Sequence, residues 1–542
     1  MLRQHLAFAV LLIAGLANGV VARAIEPESL QRLLDDEASC TLTRDDSGGY
    51  YLSRIETYGP NSELKNFSRL KMASLRGGGR LPQLVAQLGE KPELRELHLD
   101  GNFAPDLANR VDLSALRKCP RLEVLRLYDN FGDLKQLDLQ PLSELKELRA
   151  LWVYGAVDTS RLIDQIESLP KLEELMIPLS GDDAQDERDL ARLAAIPTLK
   201  LFHSTGRLGK PELLKPLAPH LERLILSDKH LSEGFVRELR PLQELMLVDC
   251  SLSAEAYGEL SRLPALETLS LTRCEIQYPN GTVRETVELN NAGAFPSLQR
   301  IENRFCSFVD FRHFADSPLE DVRMSPLGMR KLEGLSDIRK LRSLDMMSRF
   351  YQDDKALELV EETLKRETLK SMSIVCLYEK PIQLALILSH SSLETASFEY
   401  CDLKNPTRMS GRLSHELRKL TFRSTRDKAS TVAEMGYISQ LAGLKELCLY
   451  DMALGDQRLA ELNGLNQLEV LDFTDNRDIT DKSFSLLRRL DALRELNLQG
   501  TAVSAKGLLS LSVETIHAGE AYLDYHDQEP HEVEKFVRWS RP

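Results

Sequence analysis

The chemistry open to this chain is narrow. It carries no phosphate-loop spacing, no dinucleotide fingerprint, no Gly-x-Ser-x-Gly elbow and no His-Glu-x-x-His motif. Arg76-Gly77-Gly78-Gly79-Arg80 is glycine-rich and basic but lacks the phosphate-loop spacing, so it reads as a turn. His526-Asp527-Gln528-Glu529-Pro530-His531-Glu532 gathers metal-capable groups. Pro530 breaks the register that would bring both His to one helical face, and no metal or cofactor is expected. What remains is the chemistry of holding a partner. His98, Asp100, Arg126, Tyr128, Trp152 and Tyr154 occupy matching positions in three successive, similar segments. Arg, Tyr and Trp dominate binding hot spots, so these six are the expected partner-binding patch. The same residues could instead satisfy one another, rings stacked and Arg126 over an aromatic face.

Those segments share one spacing, Leu-x-x-Leu-x-Leu, which must position the six. Clear copies start at Leu94, Leu122, Leu148, Leu172, Leu221, Leu242, Leu266, Leu444, Leu468 and Leu493. Weaker copies start at Leu70, Leu199, Leu298, Leu319, Leu341, Leu369, Leu393 and Leu417, and the mean spacing is about 25 residues. The last two Leu of each copy alternate with period two, the mark of a short strand with its apolar side chains inward. Counting the first Leu as 1, positions 5 and 7 then project from the opposite face. Glu302, Arg304 and Arg323 fall on that face and are expected as a surface ion-pair group of little energetic weight. Asp345 and Asp472 lie five strands apart, about 24 Å, too far for joint acid–base work.

The chain resembles the leucine-rich repeat family over residues 67–518. The tail of the repeat is matched by Leu247-x-x-Cys250-x-Leu252, Leu271-x-x-Cys274-x-Ile276 and Phe398-x-x-Cys401-x-Leu403, with Asn102, Asn130 and Asn476 at the same position elsewhere. Late copies such as Leu498-Gln499-Gly500-Thr501-Ala502-Val503 are similar to repeats of secreted bacterial proteins. The resemblance implies an α/β fold: a right-handed solenoid with a curved parallel sheet on its concave face and helices or turns on its convex face. It also implies protein binding on the concave face. One coil cannot bury its own core, so stability comes from stacking, and exposed ends need caps. Residues 25–66 are the expected N-terminal cap, with Pro27 opening a helix that carries Leu30, Leu33 and Leu34. Residues 519–542 are the expected C-terminal cap, with Val533, Phe536 and Val537 at helical spacing. The 32-residue step from Leu266 to Leu298 holds an insertion near Gln277–Asn291.

Residues 1–24 read as a secretory signal peptide: a basic start at Arg3, an apolar run Leu6–Ala17, and the small-x-small pattern Ala22-Arg23-Ala24. They hold two cations and no acid, so their removal takes the formal charge from −14 to −16. Acidity of that size disfavours nucleic acid as a partner. The alternative is an N-terminal membrane anchor, but the run is shorter than a bilayer span; no later stretch reaches that length, so no membrane insertion is expected after cleavage. Cys250, Cys274, Cys306 and Cys401 share the Asn/Cys position, which predicts free buried thiols rather than bridges. Asn66-Phe67-Ser68 and Asn280-Gly281-Thr282 are sequons. The expectation is a secreted or periplasmic, non-enzymatic scaffold that binds a protein ligand. The competing readings are a structural envelope spacer and a carbohydrate-active enzyme.

Overall fold

The computed structural model describes residues 25–519 apart from connecting stretches, the longer of them 102–110, 278–293, 326–333, 349–361, 405–412 and 424–434. Residues 1–24, the sequon residues Asn66 and Asn280, Asn102, Asn130 and residues 520–542 of the C-terminal cap lie outside the described residues. Among the described residues twenty-one strands form one sheet. In chain order they are β1 (Ser39–Arg44), β2 (Tyr50–Thr57), β3 (Met72–Gly78), β4 (Glu96–Gly101), β5 (Val124–Asp129), β6 (Ala150–Tyr154), β7 (Glu174–Ile177) and β8 (Leu201–Ser204). Next come β9 (Arg223–Ser227), β10 (Glu244–Val248), β11 (Thr268–Thr272), β12 (Arg300–Arg304), β13 (Asp321–Ser325), β14 (Ser343–Ser348) and β15 (Ser371–Cys376). The last are β16 (Thr395–Glu399), β17 (Lys419–Arg423), β18 (Glu446–Tyr450), β19 (Val470–Asp472), β20 (Glu495–Asn497) and β21 (Thr515–Gly519). From β3 to β20 each strand begins two residues after one of the eighteen repeat Leu. A nineteenth copy, Val513-x-x-Ile516-x-Ala518, carries β21.

The expected open solenoid is not what forms. β2 to β21 pair in parallel, each with the next, and β1 runs antiparallel between β2 and β21, so the sheet closes on itself as a mixed β-barrel. The two exposed ends that an open solenoid would have to cap are paired through β1, which removes both edges. Residues 25–66 thus supply the closing strand as well as the helix Pro27–Asp35, on which Leu30 and Leu33 are buried. The seam is specific. Arg44 N–H donates to the Glu514 carbonyl at 2.8 Å, the Tyr50 hydroxyl donates to the Val513 carbonyl, and the Thr41 hydroxyl lies 3.0 Å from His517 Nδ1. The sheet also runs unbroken past the insertion, since Thr268 pairs with Arg300 and Thr272 with Arg304.

Paired residues keep one level around the barrel. The row that leaves Glu56 passes through Ser74, His98, Arg126, Trp152 and Met176, and reaches Asn497, His517 and Thr41 before returning to Arg54. A stagger of two residues over 21 strands means a tilt of about 4°, against the 35–45° of common barrels. Strands about 4.8 Å apart then give a ring about 32 Å across, each strand turned about 17° from the last. Such a ring cannot hold the return segments inside, so they lie outside it. About 10 Å further out they are spaced by about 8 Å, the narrow limit of the usual 8–10 Å between packed helices. Short 3-10 turns such as Gln140–Glu144 and Asp456–Leu462 fit this spacing, and the longest described helix, Asp183–Leu193, has 11 residues.

The main core lies between sheet and return segments. Repeat positions 1, 4 and 6 fill it, as with Leu94, Leu97 and Leu99, all fully buried. The Asn/Cys position closes each turn. Asn476 donates through Nδ2 to the Leu449 and Phe473 carbonyls and accepts from the Met452 and Leu454 N–H groups. Cys250 and Cys274 do the same job with thiols that donate to the Leu226 and Leu247 carbonyls. The residue before each adopts the left-handed region, at Asp249, Arg273, Phe305, Tyr400 and Asp475, which turns the next side chain inward. Cys250, Cys274, Cys306 and Cys401 are free thiols, the first three buried and Cys401 half-buried. Burial pushes the Cys119 thiol up to about 11 and Cys40 up to about 12.

The seam makes one residue irreplaceable. Gly519 has φ +94°, and a Cβ there would meet the Ala38 carbonyl oxygen at 1.8 Å. Gly519→Ala is expected to cost about 2 kcal/mol or more. Its low-angle X-ray scattering should show an increased radius as β21 leaves β1. An unchanged melting curve and radius would mean that the seam does not hold the ring.

Candidate functional site

Three columns of side chains face the inner wall, at repeat positions 3, 5 and 7. The structure brings the six expected residues together on β4, β5 and β6 in direct register: His98 beside Arg126 beside Trp152, and Asp100 beside Tyr128 beside Tyr154. Position 3 adds Glu96, which was missed because only positions 5 and 7 were counted. A period-two strand aims 3, 5 and 7 the same way, so the signal was present.

The group is internally bonded. Tyr128 and Tyr154 stack with ring centroids 4.9 Å apart and 14° between planes. The Arg126 guanidinium carbon sits 4.2 Å from the centroid of Trp152. Arg126 Nη1 is 2.9 Å from His98 Nε2 and 3.5 Å from Glu96 Oε1, and His98 Nε2 is 2.8 Å from the same Glu96 oxygen. Burial would raise the Glu96 carboxyl, but the hydrogen bond from His98 and the charges of His98, Arg126 and Arg54 outweigh it and hold the group down at about 2. Arg76 bridges at 2.9 Å to Glu56 and lies 3.8 Å from Asp100. The Tyr154 hydroxyl donates to Met176 Sδ at 3.5 Å.

Exposure divides the six. Trp152 is 1% exposed and Arg126 7%, whereas His98, Asp100, Tyr128 and Tyr154 are half-buried. The expectation that all six project into solvent is therefore corrected for two of them: Trp152 is a floor under Arg126, and its indole N–H, shut off from solvent, has no hydrogen-bond partner among the described residues. Trp152 also begins a second apolar cluster, separate from the main core, with Ala150, Met176, Leu201, Ile225, Met246 and Val248. The sequence signals this wall where Leu172-x-x-Leu175-Met176-Ile177 loses its polar alternation.

Further round, the inner wall becomes charged. Glu302, Arg304 and Arg323 were expected at the surface; Glu302 is 4% and Arg304 9% exposed, because they line the inside of a closed sheet. Arg304 Nε donates to Glu302 Oε1 at 2.7 Å and the Ser270 hydroxyl to Oε2 at 2.8 Å. Arg223 sits between Glu174 at 2.9 Å and Glu244 at 3.9 Å. Asp345 follows Arg323 in the same row. Burial pushes its carboxyl up to about 6, against the pull of Arg323, and its Oδ1 takes no hydrogen bond from the described residues. Asp472 is also raised by burial, although Thr474 and Asn497 donate to it at 2.6 and 2.9 Å. Five strand steps separate it from Asp345, as expected. Among the described residues no group of three or more His, Cys, Asp and Glu could hold a metal. The tail His526 and His531 lie outside the described residues, as does Gly79-Arg80.

No protein-family model matches the chain, and no curated protein matches it. Among solved structures it is similar to the crystal structure of the TLR13–ssRNA13 complex. The match is 16% identical, with a TM-score of 0.36, and covers 84% of this chain and 77% of that one.

Two outcomes test the geometry. Trp152→Ala removes a buried ring and is expected to cost about 3–5 kcal/mol, read by chemical denaturation. A loss under about 1 kcal/mol would mean that the ring is not packed as described. Asp345 has its folded pKa above the unfolded value, so the folded state holds the extra proton between about pH 4 and 6. Stability falls as pH rises through that window. Asp345→Asn should be near neutral at about pH 4 and stabilise by up to about 3 kcal/mol above about pH 7, measured as unfolding midpoints across pH.

Proposed function

We propose that this chain is an exported, non-enzymatic recognition protein of the leucine-rich repeat kind, similar to secreted bacterial ones, that binds a protein ligand through its inner wall. The observation that supports the reading most is the half-buried aromatic step of Tyr128 and Tyr154, with His98 and Asp100 beside it, standing on the buried Arg126–Trp152 pair. A rigid amphipathic pair of rings with charged neighbours at its rim is the composition of a binding hot spot. The rings are fixed by stacking before any partner arrives, so little side-chain entropy is lost on contact. The carboxylates favour this over glycan hydrolysis. Glu302 is held by Arg304 and Ser270, and Asp472 lies about 24 Å from Asp345, beyond the separations that glycosidases use.

The apolar leader pattern at residues 1–24 supports export, to the periplasm or beyond. Among the described residues no helix is long and apolar enough to cross a membrane. The competing spacer role makes a distinct forecast. Under the binding reading, Tyr128→Ala with Tyr154→Ala should weaken capture of a native envelope partner by about 2 kcal/mol or more while the melting curve moves little. Crosslinking with mass spectrometry identifies the partner first. Capture that is indifferent to both substitutions would favour the spacer.

A further inference from the structure

His98 Nε2 is asked to serve two groups at once. It lies 2.8 Å from Glu96 Oε1 and 2.9 Å from Arg126 Nη1. A ring nitrogen either carries a hydrogen or offers a lone pair. With the hydrogen it donates to Glu96 and meets an Arg126 N–H head on. With the lone pair it accepts from Arg126 and faces the Glu96 oxygen. Neither state satisfies both contacts, and in a neutral ring that carries its hydrogen on Nδ1 the change between them is the gain of one proton at Nε2. The groups around the imidazole can be set out strand by strand. Glu96 and Asp100 flank it on β4, Arg126 and Tyr128 face it from β5, and Ser74 and Arg76 from β3. Arg54 and Glu56 stand one strand further on. Arg76 is bridged to Glu56 at 2.9 Å and approaches Asp100. The carboxyl of Glu96 stays ionised far below neutrality under its surrounding cations.

We propose that His98 is a proton-operated switch for the aromatic wall. Neutral, it accepts from Arg126 and keeps the guanidinium over Trp152. Protonated, it donates to Glu96 and drives Arg126 off the nitrogen, because two cations cannot share that atom. Arg126 is the lever: one end touches His98 and the flat face of the guanidinium covers the indole at 4.2 Å. Beyond Trp152 the same strand carries Tyr154, stacked on Tyr128. The regulatory consequence, that partner binding varies with pH, rests on the inner wall being the binding face. The switch itself is read on the protein alone.

Trp152 is one of two tryptophans, so Trp539→Phe leaves its emission unmixed. The full chain carrying that change is followed by fluorescence from about pH 5 to 8, the range in which histidine changes charge, with circular dichroism confirming the fold at each pH. One sigmoidal step in Trp152 emission is expected. In His98→Gln the step disappears, since an amide accepts from Arg126 and donates to Glu96 simultaneously. In Glu96→Gln the imidazolium loses its acceptor, and the midpoint moves to lower pH by about half a unit or more. A flat profile in the parent, a step that survives His98→Gln, or a midpoint indifferent to Glu96→Gln would each overturn the proposal. Partner capture that ignores Tyr128→Ala and Tyr154→Ala speaks against the binding reading and leaves these fluorescence results standing.

Discussion

Closure governs this molecule. Twenty-one strands must each turn by about 17° so that the last meets the first, and β1 must run backwards to join them. An error of one strand's width would leave an edge of unpaired amides, the condition that invites aggregation. The curvature is set outside the sheet, where return segments about 8 Å apart must pack against strands about 4.8 Å apart. Bulkier helices would splay the outer layer and tighten the ring; thinner turns would open it. Short 3-10 segments and helices of four to eleven residues therefore define the ring's size.

Register is held by polar means on either side of that closure. At position 2 a column of alternating sign runs along one edge of the ring: Arg95 to Glu123, Arg149 to Glu173, Lys200 to Glu222, Lys370 to Glu394 and Lys445 to Glu469. These exposed pairs contribute little individually. Their effect is on alignment, because a one-residue slip would move each charge to the opposite face and bury it in the core. At the other edge the Cys and Asn side chains bond to carbonyls of the preceding turn, which ties neighbouring repeats in one direction.

The repeat was legible because it is local. Every strand start from β3 to β20 follows from a Leu spacing, and the free thiols follow from their shared position. Closure was not legible, because β1 and β2 carry no Leu-x-x-Leu-x-Leu and the pairing joins residues 39–43 to 515–519. Such a contact depends on the summed angle of every intervening repeat, which no single copy encodes. The candidate patch was found by its residue types, but its burial was not. Trp152 and Arg126 looked like exposed contacts because a strand face was read alone. The wall they belong to, from Met176 to Val248, becomes a second core only when four more strands are placed beside it.

The inner wall then carries two demands that conflict. A closed sheet hides polar groups that an open one would show to water, and each must be paired within the ring. Most are: Glu174 by Arg223, Glu302 by Arg304 and Ser270, Asp472 by Thr474 and Asn497. The exceptions are instructive. Among the described residues Trp152 N–H, Asp345 Oδ1 and the Thr268 and Thr272 hydroxyls are left without partners, and His98 Nε2 has one partner too many. A wall evolved only for stability would replace such groups by apolar ones at little cost. Trp152 and His98 lie in one row of β4 to β6, beside the row of the stacked tyrosines. The closed sheet thus tolerates polar strain directly beside its preorganised rings, because the packing of the wall fixes groups whose hydrogen bonding it cannot complete.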